Sequence, residues 1–256
     1  MRVLATSNIK GGVGKTATSV NLAYVAAREG ARVLLWDLDP QGAASFYFRV
    51  RPKVKGGAKR LVRGKRSLDA IIKGSDYDRL DIVPADFSYR HLDLLLDGVK
   101  KPEGRLRKLL RPIEDEYDYV FFDCAPGISL VTESVFEAAD ALLVPLIPTT
   151  LSTRTLEQLL RYLEKHREAG KPEVFAFFSL ADRRKRLHRD IMAELPKTFP
   201  QVLAASIPQA SEVERMGVER RPVSSYAGTR SRAVKAYDVL WREIRDRCEK
   251  APAPVD

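Results

Sequence analysis

The chain predicts an α/β protein built on a single doubly wound, mostly parallel sheet with helices on both faces. Short apolar or β-branched runs alternate with longer helical patterns along its 256 residues, as in sheets whose strands are joined by crossover helices. A glycine-rich segment links the first run to the first helix. Aspartates follow two of the runs directly, at strand ends, where an open α/β sheet places its ligands.

The elements follow in order. Residues 3–5 (Val-Leu-Ala) form the first strand, and a helix over 15–29 stops at Gly30. The second strand is 33–36 (Val-Leu-Leu-Trp) and the third 80–83 (Leu-Asp-Ile-Val), with a helix over 88–96 after it. Strand 119–122 (Tyr-Val-Phe-Phe) precedes a helix over 130–138, and the apolar run 141–144 is the fifth strand. A helix over 152–166, closed by Gly170 and Pro172, leads to strand 174–178. A helix over 186–195, a strand at 202–205 and a last helix over 231–248 complete the set. No internal repeat or interdomain linker interrupts this order, so 1–250 reads as one domain carrying a basic insertion at 49–66. The Pro-rich tail 251–256 reads as disordered.

Residues 10–16 read Lys-Gly-Gly-Val-Gly-Lys-Thr between the first strand and the first helix. A glycine loop in that position turns backbone N–H groups towards phosphate oxygens, and the helix N-terminus adds favourable potential. Lys15 would reach the β/γ-phosphates, and the Thr16 hydroxyl would bind Mg²⁺. The general G-x-x-x-x-G-K-[ST] pattern asks for glycine at position 9, where this chain has Ile9.

In compensation it has Lys10, and with it the loop resembles the deviant Walker A motif of the ParA/MinD family of P-loop ATPases. Asp37-Leu38-Asp39-Pro40-Gln41-Gly42 is similar to the family's first switch segment, and Asp123-Cys124-Ala125-Pro126-Gly127 to its Walker B segment. The likeness continues through Asp140, Pro145, Pro148 and Gln158 to Ile207-Pro208-Gln209, Glu212 and the last helix. It implies a homodimer that sandwiches two ATP molecules, each Lys10 reaching the partner's nucleotide. It also implies ATP and Mg²⁺ as cofactors: Lys10, Gly11, Gly12, Val13, Gly14, Lys15, Thr16 and Ala17 on the phosphates, Pro208 near the base, and Thr16, Asp37 and Asp123 at the metal. Lys10, Lys15 and Asp39 are the expected catalytic residues, with Asp39 on the attacking water. Strand alternation puts Asp37 and Asp39 on one side of an extended chain. Two departures stand out. Ala17 replaces a second hydroxyl, removing a contact worth about 0.5–1.5 kcal/mol, and Gln209 stands where the family often has arginine.

Charge points to a partner. The chain carries 44 Lys and Arg against 34 Asp and Glu, a net +10, which suits a polyanion. Residues 49–66 hold Arg49, Arg51, Lys53, Lys55, Lys59, Arg60, Arg63, Lys65 and Arg66 with no acidic residue among them. A second cluster comprises Arg183, Arg184, Lys185, Arg186 and Arg189, backed by Arg215, Arg220 and Arg221. The resemblance implies nonspecific DNA binding by the ATP dimer, slow hydrolysis stimulated by a ParB-like or cargo-linked protein, and a cytoplasmic, nucleoid-associated place in a prokaryote. Charge runs are also commonly solvated loops. For 49–66, alternation of Phe46, Phe48 and Val50 with Tyr47, Arg49 and Arg51 permits a hairpin turning at Gly56-Gly57.

A MinD-like membrane switch is the alternative. It would use the last helix, where Val234, Tyr237, Leu240, Trp241 and Ile244 recur at helical spacing, as an amphipathic anchor. Continuity of that stripe with the fold favours core packing. No apolar run approaches the roughly 18 residues of a membrane span. Met1 leads almost at once into the first strand, so neither a signal peptide nor a preceding helix-turn-helix is expected. Cys124 and Cys248, without C-x-x-C spacing, argue against a disulfide framework, zinc or an iron–sulfur cluster.

Overall fold

The computed structural model describes residues 1–165 and 172–250. Eight strands form one sheet in the order β3-β4-β2-β5-β1-β6-β7-β8. They are β1 (Arg2–Thr6), β2 (Val33–Asp37), β3 (Lys73–Gly74), β4 (Leu80–Val83), β5 (Tyr119–Asp123), β6 (Ala141–Leu146), β7 (Glu173–Ala181) and β8 (Val202–Pro208). Every pairing is parallel except β3 with β4. β1 lies between β5 and β6, at the point where successive crossovers turn to opposite edges. That switch point opens the crevice in which α/β sheets bind ligands.

Alternate strand residues feed two apolar layers. Ala5, Leu34, Trp36, Val120 and Phe122 pack on one face, and Leu4, Val33, Leu35 and Phe121 on the other. A parallel sheet buried on both faces needs apolar side chains at nearly every position, which is why β2 and β5 read as continuous runs. The first layer is covered by α3 (Gly57–Val62), α4 (Leu92–Asp97), α5 (Arg105–Leu110), α6 (Leu130–Ala138), α7 (Thr150–Lys165) and α8 (Arg186–Thr198). The second is covered by α1 (Lys15–Arg28), α2 (Ala43–Tyr47), α10 (Met216–Glu219), which follows α9 (Ser211–Glu214), and the terminal α11 (Arg232–Lys250). Gly30, at φ 103°, stops α1 as expected.

All seven anticipated strands are present, and β3 is an addition of two residues. The end of the 152–166 helix, Gly170 and the 251–256 tail lie outside the described residues.

The basic stretch corrects the sequence reading. In place of a hairpin or a solvated loop, 49–66 carries α3, entered through Gly56 in the left-handed conformation (φ 92°). Ala58, Leu61 and Val62 are buried at helical spacing with Val54 beside them, while Lys59, Arg60 and Arg63 face solvent. Asp86 and Ser88 hold the start of this segment: Val54 N donates to Asp86 Oδ2 at 2.7 Å and Ala58 N to Ser88 Oγ at 2.8 Å. The 46–51 alternation is likewise helical in part, as α2.

Candidate functional site

The glycine loop leaves the C-terminal end of β1 and enters α1 at Gly14. Gly12 (φ 71°) and Gly14 (φ 90°) are left-handed, a conformation that side chains with a Cβ adopt only at a cost. A Cβ on Gly14 would lie 2.8 Å from Ser179 Oγ on β7, whereas one on Gly11 or Gly12 would meet nothing within 4 Å. The loop is thus closed towards the sheet and open outwards. Asn8 shapes it, accepting from Lys10 N at 2.9 Å and donating to Pro145 O at 2.8 Å. No side chain caps α1, so its first N–H groups are directed into the cradle.

Lys15 is buried, and its Nζ donates to Lys10 O at 2.9 Å. Burial lowers its ammonium pKa, against the charges of Asp123 and Asp39, which favour the protonated form. Lys10 is half-buried, and its ammonium pairs with no carboxylate among the described residues.

Two carboxylates close the site from β2 and β5, where Asp37 pairs with Asp123 in register. Both are fully buried. Ser45 N and Oγ donate to Asp37 Oδ2 at 2.8 and 2.7 Å, and Ser45 Oγ accepts from Ala85 N at 2.9 Å. Ser19 Oγ donates to Asp123 Oδ1 at 3.2 Å, and the nearby Thr16 hydroxyl favours the charged form of that carboxylate. The other oxygens, Asp37 Oδ1 and Asp123 Oδ2, have no hydrogen-bond partner. Burial pushes the Asp37 carboxyl up to about 6 and raises Asp123 well above the usual range, with the charge of Asp37 as a further cause.

Orphaned buried carboxylate oxygens beside a phosphate-type loop and the Thr16 hydroxyl fit a hydrated divalent cation. Mg²⁺ keeps several waters and needs only one or two protein ligands plus phosphate.

Asp39 is half-buried just beyond β2 and accepts from Gln41 N at 2.9 Å. Its charge acts on Lys15, Asp37 and Asp123, so the structure gathers all the motif carboxylates at one sheet end. Pro208 ends β8 at that same end, in register with Ala181. Ala17 turns towards the core layer of α11, and its carbonyl accepts from Asn21 Nδ2 at 2.7 Å. Cys124 is buried with its thiol pKa raised, as suits a packed thiol.

Asn8, Ser19, Ser45 and Ser179 escaped the sequence reading. Ser19 had a signal, lying one helical turn beyond Lys15 and Thr16; Ser45 and Ser179 had none, because only the fold brings them to Asp37 and Gly14.

The basic candidates fall in two places. Lys53, Lys55, Lys59, Arg60 and Arg63 are exposed on and around α3; Arg183, Arg184, Lys185, Arg186 and Arg189 surround the start of α8, near the opposite sheet edge. Arg215, Arg220 and Arg221 belong to the α9–α10 segment, where Arg220 lies 4.5 Å from the Phe46 ring of α2. The apolar stripe of α11 is buried against β8 and α1.

A glycine cradle followed by Lys-Thr, facing strand-end carboxylates at the switch point of a parallel sheet, defines a P-loop nucleoside triphosphatase. Residues 1–175 match the family model described as "AAA domain". The chain is 34% identical to the chromosome partitioning protein ParA of Caulobacter vibrioides over 98% of both chains. It is 30% identical to the sporulation initiation inhibitor protein Soj of Bacillus subtilis, covering 95% of this chain and 98% of Soj. A crystal structure of cobyrinic acid a,c-diamide synthase from Mycobacterium smegmatis, with bound ATP analog and magnesium, superposes with a TM-score of 0.83. It is 28% identical, over 97% of this chain and 96% of that one. The chain belongs to the ParA/MinD family of deviant Walker A P-loop ATPases.

Proposed function

We propose that this chain is an ATP-dependent dimerising switch that hydrolyses ATP slowly, binds DNA without sequence preference, and acts in DNA segregation or intracellular cargo positioning. The observation that carries the nucleotide reading is the pair of orphaned oxygens, Asp37 Oδ1 and Asp123 Oδ2, buried beside Lys15. Burying unpaired carboxylate oxygens is costly, and the shell of a Mg²⁺ ion bound with ATP would satisfy both. When bound, Mg²⁺ neutralises charge on the phosphates.

The chain's own residues divide the remaining work. The N–H groups of residues 11–17 bind phosphate oxygens, and Lys15 moves from the Lys10 carbonyl to the β/γ-phosphates. Thr16 supplies a direct hydroxyl ligand. Asp39, at the mouth of the site, orients the attacking water. Lys10 acts in the partner's site on charge developing in the transition state, as an arginine finger does elsewhere. Pro208 borders the base. Hydrolysis then times the lifetime of the dimer, and a ParB-like or cargo-linked protein accelerates it on the nucleoid.

Burial of Val234, Tyr237, Leu240, Trp241 and Ile244 supports core packing for α11 over the membrane alternative. No helix among the described residues is long and apolar enough to cross a membrane.

Sedimentation and phosphate release test this reading together. With Mg-ATP the wild type should dimerise and retain duplex DNA, Lys10→Ala should stay monomeric, and Asp39→Ala should dimerise with markedly slower release. A Lys10→Ala protein that dimerises and binds DNA like wild type would overturn the sandwich, and equal release rates would remove Asp39 from catalysis.

A further inference from the structure

The Lys10 backbone is held at both of its polar groups, by partners of different kinds. β1 ends at Thr6, yet Ser7 N still donates to Leu143 O of β6 at 3.1 Å. Rungs of a parallel pair are evenly spaced, so the next one falls at Pro145 O, where the main chain has already turned into the loop. Asn8 Nδ2 takes that rung at 2.8 Å, and Asn8 Oδ1 accepts from Lys10 N at 2.9 Å. Asn8 is only 3% exposed. It therefore ties Lys10 N to the sheet through two bonds shielded from solvent.

The other polar group has a partner that ATP removes. Lys15 Nζ donates to Lys10 O at 2.9 Å, and in the reading above it leaves for the β/γ-phosphates. Packing does not take its place. Ile9, where the general pattern asks for glycine, lines a small cavity with Ile128, Phe136 and Leu159, so the segment between Asn8 and Lys10 has room to shift. The Lys10 ammonium rides on a flexible four-carbon stem and pairs with no carboxylate among the described residues. Once Lys15 has gone, the bond from Lys10 N to Asn8 is what still ties this backbone to β6.

We infer that Asn8 is the positioning residue of Lys10. By carrying the β6 rung into the loop, it fixes where the Lys10 backbone stands and so aims the ammonium at the partner's nucleotide. This rests on the sandwich dimer proposed above. A charge that acts on a transition state has to meet it closely, and misplacement by about 1 Å can cost about a hundredfold in rate. Without Asn8, Lys10 N and Pro145 O must find other partners, and the lysine loses its register with the sheet. The consequence is felt across the interface. Lys15 serves the nucleotide of its own chain, whereas Asn8, acting through Lys10, serves the nucleotide of the other.

Mixed dimers of the full chain with Mg-ATP test this, read by phosphate release. A Lys10→Ala chain keeps Asp39 and its own loop but needs a lysine in trans; an Asp39→Ala chain supplies that lysine and turns over little itself. Mixing the two should restore release above either alone. Adding Asn8→Ala to the Asp39→Ala chain should then lower the mixture's release by at least about tenfold, and adding it to the Lys10→Ala chain should lower it by no more than about threefold. In the otherwise wild-type chain, Asn8→Ala should lower turnover while affinity for a fluorescent ATP analogue falls by no more than about threefold. Asn8→Ser, whose hydroxyl accepts more weakly from the N–H two residues on, should lie between wild type and Asn8→Ala. Thermal melting establishes that each chain is folded, and if Asn8→Ala is not, Asn8→Ser makes the same comparison. Equal losses from either chain of the mixture, or a loss of ATP affinity as large as the loss of turnover, would confine Asn8 to its own loop and overturn the inference while the sandwich stands. A mixture with Asn8 intact that recovers no release would overturn the sandwich and the role of Asn8 with it.

Discussion

Asp37 and Asp123 face each other at one register position of neighbouring parallel strands, both without exposed surface. Two carboxylates so placed cannot both be ionised cheaply, and they titrate as a pair. Ser45, Thr16 and Ser19 each favour the charged form, yet burial outweighs them. The arrangement therefore lowers the stability of the free protein and restores it when a cation is nearby.

That relationship gives a pH dependence with a definite sign. The folded pKa of Asp37 is raised to about 6, above the unfolded value of roughly 3.9. The stability it contributes is thus fully present below about pH 4 and is lost as the pH rises through 6. Asp37→Asn should flatten this fall and stabilise the nucleotide-free protein at pH 8 by about 3 kcal/mol, since a tenfold change in an ionisation equilibrium corresponds to about 1.4 kcal/mol. Buried His188, whose pKa is lowered, acts in the opposite sense but cancels between wild type and variant. Urea denaturation at pH 5 and pH 8 makes the comparison; the same pH dependence in both proteins would refute it. With Mg-ATP the order should invert, the wild type becoming the more stable.

Ser45→Ala leaves the backbone donor to Asp37 in place but removes the hydroxyl bond and orphans Ala85 N. Unsatisfied buried groups cost about 1–3 kcal/mol, so a loss of about 2 kcal/mol in urea unfolding is expected, together with weaker Mg-ATP binding. A loss under about 0.5 kcal/mol would mean that the site relaxes around the missing hydroxyl.

Gly14→Ala combines a left-handed backbone with a Cβ 2.8 Å from Ser179 Oγ. Strain of this kind costs on the order of 1–3 kcal/mol, and the loop should lose nucleotide binding through misplaced N–H groups. Gly11→Ala, which meets no atom within 4 Å, is the matched control and should fold like wild type. Calorimetric melting and a fluorescent ATP analogue separate the two effects, and equal nucleotide affinity in both variants would contradict the strained-loop explanation.

Leu61→Ala tests the part of the fold that sequence reading missed. The side chain is buried beside Val62, and large-to-small core changes cost about 2–5 kcal/mol; a melting temperature unchanged from wild type would show α3 to be loosely held. The phosphate loop and its aspartates were legible because their chemistry needs fixed residue types at short spacings. The sheet was legible because strands buried on both faces write continuous apolar runs. α3 was hidden: Gly56-Gly57 reads as a turn, nine cations dominate 49–66, and the spacing of Ala58, Leu61 and Val62 becomes meaningful only beside Asp86 and Ser88. Pairing of the second cluster was equally invisible, since Glu219 and Asp190 stand among its arginines without sequence alone showing which charges meet.

The last helix separates a core role from a membrane role. Tyr237 is buried against Asn21, whose side-chain Oδ1 accepts from Val223 N at 2.8 Å. Trp241 Nε1 donates to Glu29 at 3.0 Å across the contact of α11 with α1. An anchor that detaches on ATP binding would have to break these bonds and expose the whole stripe. Tyr237→Ala should therefore cost about 3–5 kcal/mol, as truncation of a large buried aromatic does, and lower the melting temperature with or without nucleotide. Flotation with anionic vesicles and Mg-ATP should leave the wild type in the soluble fraction. A Tyr237→Ala protein of wild-type stability, or wild type that floats only with ATP, would transfer α11 from the core to the membrane.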